Sequence, residues 1–99
     1  MEIRIKSVHF DATAQLRSFA EKKISKLDKF YDSVLKAEVS LKIVKPETVN
    51  NKTAEILLKV KGDECFVTKT NNTFEESIDE CVEVLIRQLS KLKEKNGIK

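Results

Sequence analysis

Arg87, Lys91 and Lys95 follow one another at four-residue steps in RQLSKLKEK (87–95), a run with four cations and a single acid. The preceding stretch, TFEESIDECVEV (73–84), has five acids and no cation. A second basic run, KKISKLDKFYD (22–32), contributes Lys22, Lys23, Lys26 and Lys29. Fixed positive charges at helical spacing can grip phosphate oxygens without reading a base. On a helical wheel at about 100° per residue, Arg87, Lys91 and Lys95 fall at about 0°, 40° and 80°. Lys22, Lys26 and Lys29 fall within about 60° of one another. The apolar stripe of the later helix centres near 170° on its wheel, and its basic row is expected to flank the core edge. Lys23 lies closer to the apolar side of its helix, where the stem can pack while the ammonium stays wet. Side by side on a sheet, the two rows are expected to form one continuous patch spaced for a phosphate backbone.

Local helix electrostatics covers part of this pattern. Acids at a helix start and cations at its end complement the macrodipole by ~0.3–1 kcal/mol each. That accounts for Glu75, Glu76 and Asp79, and for Lys93 and Lys95. It leaves out Lys22 and Lys23, which sit mid-helix, and Arg87, more than two turns from the end. Glu83 and Arg87 form an i,i+4 pair worth only ~0.2–0.5 kcal/mol. The net charge of the 99-residue chain is +3, too small for the whole molecule to act as a polycation, so placement must decide. Phe19, Phe30, Tyr31 and Phe74 lie in or beside apolar stripes, which leaves Phe66 and Phe10 as the aromatics able to stack on bases. The expected target is a shaped RNA backbone, bound through counterion release.

Other chemistries find little support. His9 has no nucleophile near it in spacing and reads as a surface residue at a strand end. Two glycines, Gly62 and Gly97, cannot build a phosphate-cradling loop. The Glu75–Glu76 pair is explained by capping. One histidine with Cys65 and Cys81 does not supply a zinc ligand set. Catalysis is not expected, and neither is a cofactor, a metal or a small-molecule substrate. Both cysteines sit in apolar patterns and read as buried, reduced thiols, which suits a cytosolic compartment. MEIRIKSVHF alternates polar and apolar residues and lacks the basic start and apolar run of a signal peptide. No segment approaches the ~20 apolar residues of a membrane span. A cytoplasmic protein without membrane contact is expected.

The elements that must position these cations follow from periodicity. Ile3 and Ile5 alternate with Glu2, Arg4 and Lys6, which predicts a half-buried strand over 2–8. Thr13 can cap a helix over roughly 14–31 with Leu16, Ala20, Ile24, Leu27 and Tyr31 on its apolar face. Residues 35–45 alternate again, Leu35, Ala37, Val39, Leu41 and Ile43 inward and Lys36, Glu38, Ser40 and Lys42 outward, until Pro46 ends the strand. Asn50–Asn51 lies in the following turn. Ala54, Ile56, Leu58 and Val60 are the inward set of a third strand. Gly62–Asp63 offers a type II′ hairpin turn, and a fourth strand over about 64–70 turns Cys65 and Val67 inward, Phe66 and Thr68 outward. Thr73 to Glu76 is a capping box ahead of a helical stripe running from Phe74 through Ile78, Cys81, Val82, Leu85 and Leu89 to Leu92. That helix is expected to reach about 95, with Asn96–Gly97 ending it. The fold class is α+β, β-α-β-β-β-α, a four-stranded sheet with both helices packed on one face. Arg4, Lys6, Lys42, Glu55 and Lys59 would line the other face. One domain over 1–99 is expected, with no internal repeat or linker.

With RQLSKLKEK closing a C-terminal helix and KKISKLDKFYD in the first, preceded by Ile3, Ile5, Thr13, Leu16 and Arg17, the chain resembles the short ribosome hibernation promoting factors, relatives of protein Y. The resemblance covers essentially all 99 residues. It implies a non-enzymatic stress or stationary-phase factor. Such a factor binds RNA of the small ribosomal subunit within the assembled ribosome, where messenger and the A- and P-site transfer RNAs would lie, and inhibits translation. Lys22, Lys23, Lys26, Lys29, Arg87, Lys91 and Lys95 would carry the phosphate contacts. The long C-terminal domain through which longer relatives pair ribosomes is absent, so self-driven pairing is not expected. Protein Y's acidic tail is absent too, which leaves pairing with help from another factor open. A monomer away from the ribosome is expected. The architecture also resembles the double-stranded-RNA-binding domain, in fold alone. Two competing readings are a protein-binding regulator of the sigma-factor modulation type, using Leu57 and Phe66 on the open sheet face, and a free duplex-RNA binder.

Overall fold

Alternating side chains make β1, Glu2–Val8, with Ile3 and Ile5 half-buried and Glu2, Arg4 and Lys6 exposed. The computed structural model describes residues 1–31, 34–45 and 49–95, the last without its side chain. After β1 the chain reverses through exposed His9, whose φ of 70° is left-handed. Thr13 then caps α1, Ala14–Ser25, its hydroxyl oxygen accepting from the Leu16 amide at 3.0 Å. Leu16, Ala20 and Ile24 form its buried face. The α-helix ends earlier than the periodicity predicts. At Ser25 the hydroxyl donates to the Glu21 carbonyl at 2.6 Å, competition that disfavours continued α-helical bonding, and a 3₁₀ turn, Lys26–Lys29, follows. Leu27 and Tyr31 remain buried, so the apolar stripe is kept while the helix tightens.

Three antiparallel strands complete the sheet: β2, Val34–Ile43; β3, Lys52–Val60; and β4, Asp63–Asn71. Their order is β1-β2-β3-β4, with β1 parallel to β2. A parallel pair needs a crossover, and α1 supplies it. The inward set Ala37, Val39 and Leu41 is buried as the alternation requires. Leu35 departs from it and is 59% exposed. The register of β2 on β3 shifts between Val34 and Lys36, so Leu35 is a bulge residue and Val34 takes the core position instead. The β3–β4 hairpin also differs from expectation. Val60 pairs with Asp63, which makes Lys61–Gly62 the two-residue turn, and only Gly62 has positive φ, at 82°. Positive φ at the second central residue is the type II pattern, not type II′. In β4, Cys65 and Val67 are buried and Phe66 is exposed, as the parity reading has it.

Thr73 opens α2, Phe74–Lys95. Its Oγ1 accepts from the Glu76 amide and donates to Glu76 Oε1, both at 3.1 Å. The box is thus closed hydroxyl to carboxylate, in place of carboxylate to amide. Ser77, fully buried, donates to the Lys52 carbonyl at 2.6 Å and ties the first turn of α2 to β3. Ile78, Cys81, Leu85 and Leu89 of α2 are fully buried in one core with Ile24, Leu27, Leu41, Ile56 and Leu58. Each such aliphatic contributes about 1.5–3 kcal/mol by leaving water. Both helices therefore lie on one face of the sheet, α2 over β3 and β4 with α1 beside it. The outer strands each give one backbone carbonyl to a helix side chain. Arg17 Nη1 donates to Ile5 O at 3.3 Å on β1, and Gln88 Nε2 donates to Phe66 O at 3.4 Å on β4. Two expected terminators, Pro46 for β2 and Asn96–Gly97 for α2, lie outside the described residues.

Cys65 and Cys81 are free, buried thiols. Burial raises both pKa values, that of Cys81 to about 12, and Asp63 adds to the effect at Cys65. The Cys81 thiol donates to the Ala54 carbonyl at 3.4 Å, which gives the neutral form a partner. Among the described residues no group of three or more His, Cys, Asp and Glu side chains converges as a metal site would require. No described helix is long and apolar enough to cross a membrane.

Candidate nucleic-acid interface

Lys22, Lys26 and Lys29 are all exposed on α1 and the turn that ends it. The switch to 3₁₀ geometry bears on them directly. Side chains three apart eclipse in such a turn, so Lys26 and Lys29, its first and last residues, stand above one another. Arg87 and Lys91 are exposed on the second half of α2. Lys95 ends that helix, and its side chain lies outside the described residues.

Lys23 is different. Its ammonium is 3.1 Å from Asp79 Oδ1 on α2 and 5.5 Å from the centroid of the Phe19 ring. Its stem packs as the wheel predicts, but its charge is already engaged in a link between the helices. Nothing in the spacing of either helix alone could have revealed this partner.

The rows do not meet edge to edge. Asp79 is turned toward α1, whereas Arg87 lines a hollow with Lys69 of β4, together with Glu80, Glu83 and Val84. Eight residues advance the helix by about 80°, which carries the α2 row over the outer surface toward β4. Arg87 therefore stands on the outer surface of α2 and not at the core edge. The two rows lie on the same helical layer, with the Asp79 flank of α2 between them.

The two faces of the sheet treat their cations in opposite ways. On the open face Lys42 pairs with Glu55 at 3.0 Å, Lys36 and Lys59 share Glu38 at 3.9 and 3.6 Å, and Arg4 pairs with Glu2 at 2.7 Å. The Arg4–Glu2 hydrogen bond lowers the carboxyl pKa and raises that of the guanidinium. On the helical layer, among the described residues, no ion pair engages Lys22, Lys26, Lys29, Arg87 or Lys91. Unpaired cations break no ion pair when they turn toward an anion and lose only side-chain freedom, whereas paired ones must first be released. The layer suits phosphate; on the open face Arg4, Lys36, Lys42 and Lys59 are already engaged, and exposed Lys6, among the described residues, is not.

Among the aromatics, Phe30 is 38% exposed next to Lys29, against the expectation that it packs in an apolar stripe. Phe10 stacks on Phe74 with ring centroids 4.7 Å apart and planes 11° from parallel, and so belongs to the rim of the core. Phe66 is 55% exposed on the open face, opposite half-buried Leu57 in the β3–β4 register.

A two-layer fold of this order, with a row of exposed cations on each helix, agrees with what sequence comparison finds. Residues 3–96 match the family model described as sigma 54 modulation protein / S30EA ribosomal protein, and the chain belongs to that family. The resemblance to ribosome hibernation promoting factors and protein Y is thereby upheld. Proteins named ribosome hibernation promoting factor from Klebsiella oxytoca and Escherichia coli K12 are each 30% identical over 95 residues, 96% of this chain and 96% of theirs. The protein of that name from Azotobacter vinelandii is 32% identical over 95 residues, 96% of this chain and 85% of its own. The Thermus thermophilus protein Y N-terminal domain superposes with a TM-score of 0.81 at 26% identity, covering 93% of this chain and 99% of that one. A ribosomal subunit interface protein from Coxiella burnetii has the same fold, with a TM-score of 0.81 at 22% identity over 94% and 98% of the two chains.

Proposed function

We propose that this protein is a ribosome-associated translation inhibitor. In this reading it binds the small ribosomal subunit in the channel for messenger RNA and the A- and P-site transfer RNAs, and holds ribosomes idle under stress or in stationary phase. The observation that supports it most is the set of cations on the helical layer that are unpaired among the described residues, set against an open face where most cations are already engaged. The names of the relatives point the same way, being hibernation promoting factors and a ribosomal subunit interface protein. Lys22, Lys26, Lys29, Arg87 and Lys91 contact phosphates, and Lys95 continues the α2 row. Lys23 enters through its tie to Asp79. The mechanism is steric exclusion by one cytoplasmic domain spanning 1–99, monomeric off the ribosome, so affinity matters and turnover does not.

With about four to six phosphates engaged, log affinity falls with log salt at a slope of roughly −3 to −5. Cosedimentation with purified ribosomes across a salt series measures this slope, and a flat response removes the electrostatic mechanism. A second reading, a protein-binding adaptor, is favoured by one observation: Leu35 and Phe66 are exposed by 59% and 55%. Replacing Lys26 and Lys91 together with glutamate separates the two. Ribosome binding is lost with the fold intact under the first reading, and an adaptor that uses the open face is indifferent.

A further inference from the structure

Lys69 was not singled out by its place in the sequence, yet it has the same parity in β4 as buried Cys65 and Val67. Its side chain consequently rises on the helical side of the sheet and, half-buried, emerges beside α2. There it lines a hollow of about 220 Å³ with Arg87, Val84, Glu80 and Glu83. Two carboxylates border this hollow, yet among the described residues neither Lys69 nor Arg87 forms an ion pair with them. Glu80 Oε1 is occupied instead by the side-chain amide of Asn71, which donates to it at 3.0 Å. Two cations from different elements thus converge on one concave spot with their charges uncommitted.

We propose that Lys69 and Arg87 form a phosphate-binding notch on the β4 flank of α2, and that the RNA backbone crosses this flank after leaving the α2 crest. This rests on the ribosome-binding reading above and adds an orientation to it: the RNA reaches down the side of the molecule away from α1. The notch holds one phosphate between an ammonium on a strand and a guanidinium on a helix. Lys69 is anchored by its packed stem, so less side-chain freedom is lost on binding than at an exposed lysine. Glu80 and Glu83 are the repulsive members of the hollow; the Asn71 hydrogen bond orients Glu80 but leaves its charge in place.

The test is ribosome cosedimentation across a salt series with Lys69→Met, which keeps the packed stem and removes the charge. Expected is a several-fold weaker complex and a salt slope shallower by about 0.9, one phosphate's worth. Arg87→Ala has a similar effect, and the double variant loses less than the product of the two because both grip one phosphate. Glu83→Gln tightens binding. Lys59→Ala, on the open face, changes neither affinity nor slope, and circular dichroism confirms that every variant is folded. If Lys69→Met matches wild type in affinity and slope while Arg87→Ala does not, the notch is overturned and the broader reading stands. If wild type itself fails to bind ribosomes, both fall.

Discussion

The Lys23–Asp79 contact yields a prediction that separates a positioning role from a direct RNA contact. At 3.1 Å the bare Coulomb attraction is about 1.3 kcal/mol in a water-like dielectric and about 5 kcal/mol at an effective dielectric of 20. The side chains are 31% and 46% exposed, so solvent screening discounts this to the ~0.2–1 kcal/mol measured for such pairs. The Phe19 ring beneath the ammonium adds about 0.5 kcal/mol. Lys23→Asp therefore removes an attraction and creates a repulsion of similar size, a loss of about 1 kcal/mol in stability by urea titration. The swap Lys23→Asp/Asp79→Lys rebuilds the link with its polarity reversed and recovers most of that loss. Ribosome binding follows the same pattern if Lys23 acts by holding α1 against α2. The single variant binds several-fold more weakly and the swap returns to within about twofold of wild type. If Lys23 touches phosphate itself, the swap leaves an acid where the anion lands, and binding stays as weak as in the single variant although stability has returned. That last outcome would falsify the positioning role.

Two further consequences concern the fold. Gly62→Ala meets no neighbouring atom within 4 Å, but its φ of 82° is unfavourable for any side chain, so a loss of about 1–2 kcal/mol in chemical denaturation is expected from backbone strain alone. An unchanged midpoint would show that the hairpin relaxes. Burial pushes the Cys81 thiol to about 12 from an ordinary 9.0, and that of Cys65 upward as well. A folded-state pKa above the unfolded one means that the unfolded chain loses its protons first. The contribution of these two thiols is therefore constant below about pH 9, and stability falls as pH rises toward 12. Denaturation at stepped pH reads this directly, with Cys81→Ala flattening the decline. Rapid reaction of both thiols with a disulfide reagent at pH 8 in the folded state would contradict it.

Strand alternation and the helical stripes were plain in the sequence because each buried residue repeats on its own element. Ala37, Val39 and Leu41 on β2, and Ile78, Leu85 and Leu89 on α2, are legible from spacing alone. Leu35 was misplaced because a bulge leaves no mark in a run of alternating residues; only the partner strand reveals the extra one. The early end of α1 coincides with Ser25, whose hydroxyl bonds a carbonyl four residues back, a contact that the apolar spacing does not encode. The candidate site divides in the same way. Exposed Lys22, Lys26, Lys29, Arg87 and Lys91 could be found from a wheel. Lys69 was within reach, since the parity that buries Cys65 and Val67 also lifts residue 69 toward the helices. The tie between Lys23 and Asp79 was not, because it depends on how two helices settle against each other, and no periodicity within either encodes that.

The side chains of Arg17 and Gln88 on the outer strands bear on how the molecule behaves when crowded. An open sheet border invites another chain to add on, and repeated addition ends in fibres. Here a newcomer to either border must first dislodge a resident donor, from Ile5 on one margin and Phe66 on the other. Addition of a further strand at either margin is therefore opposed at these two carbonyls.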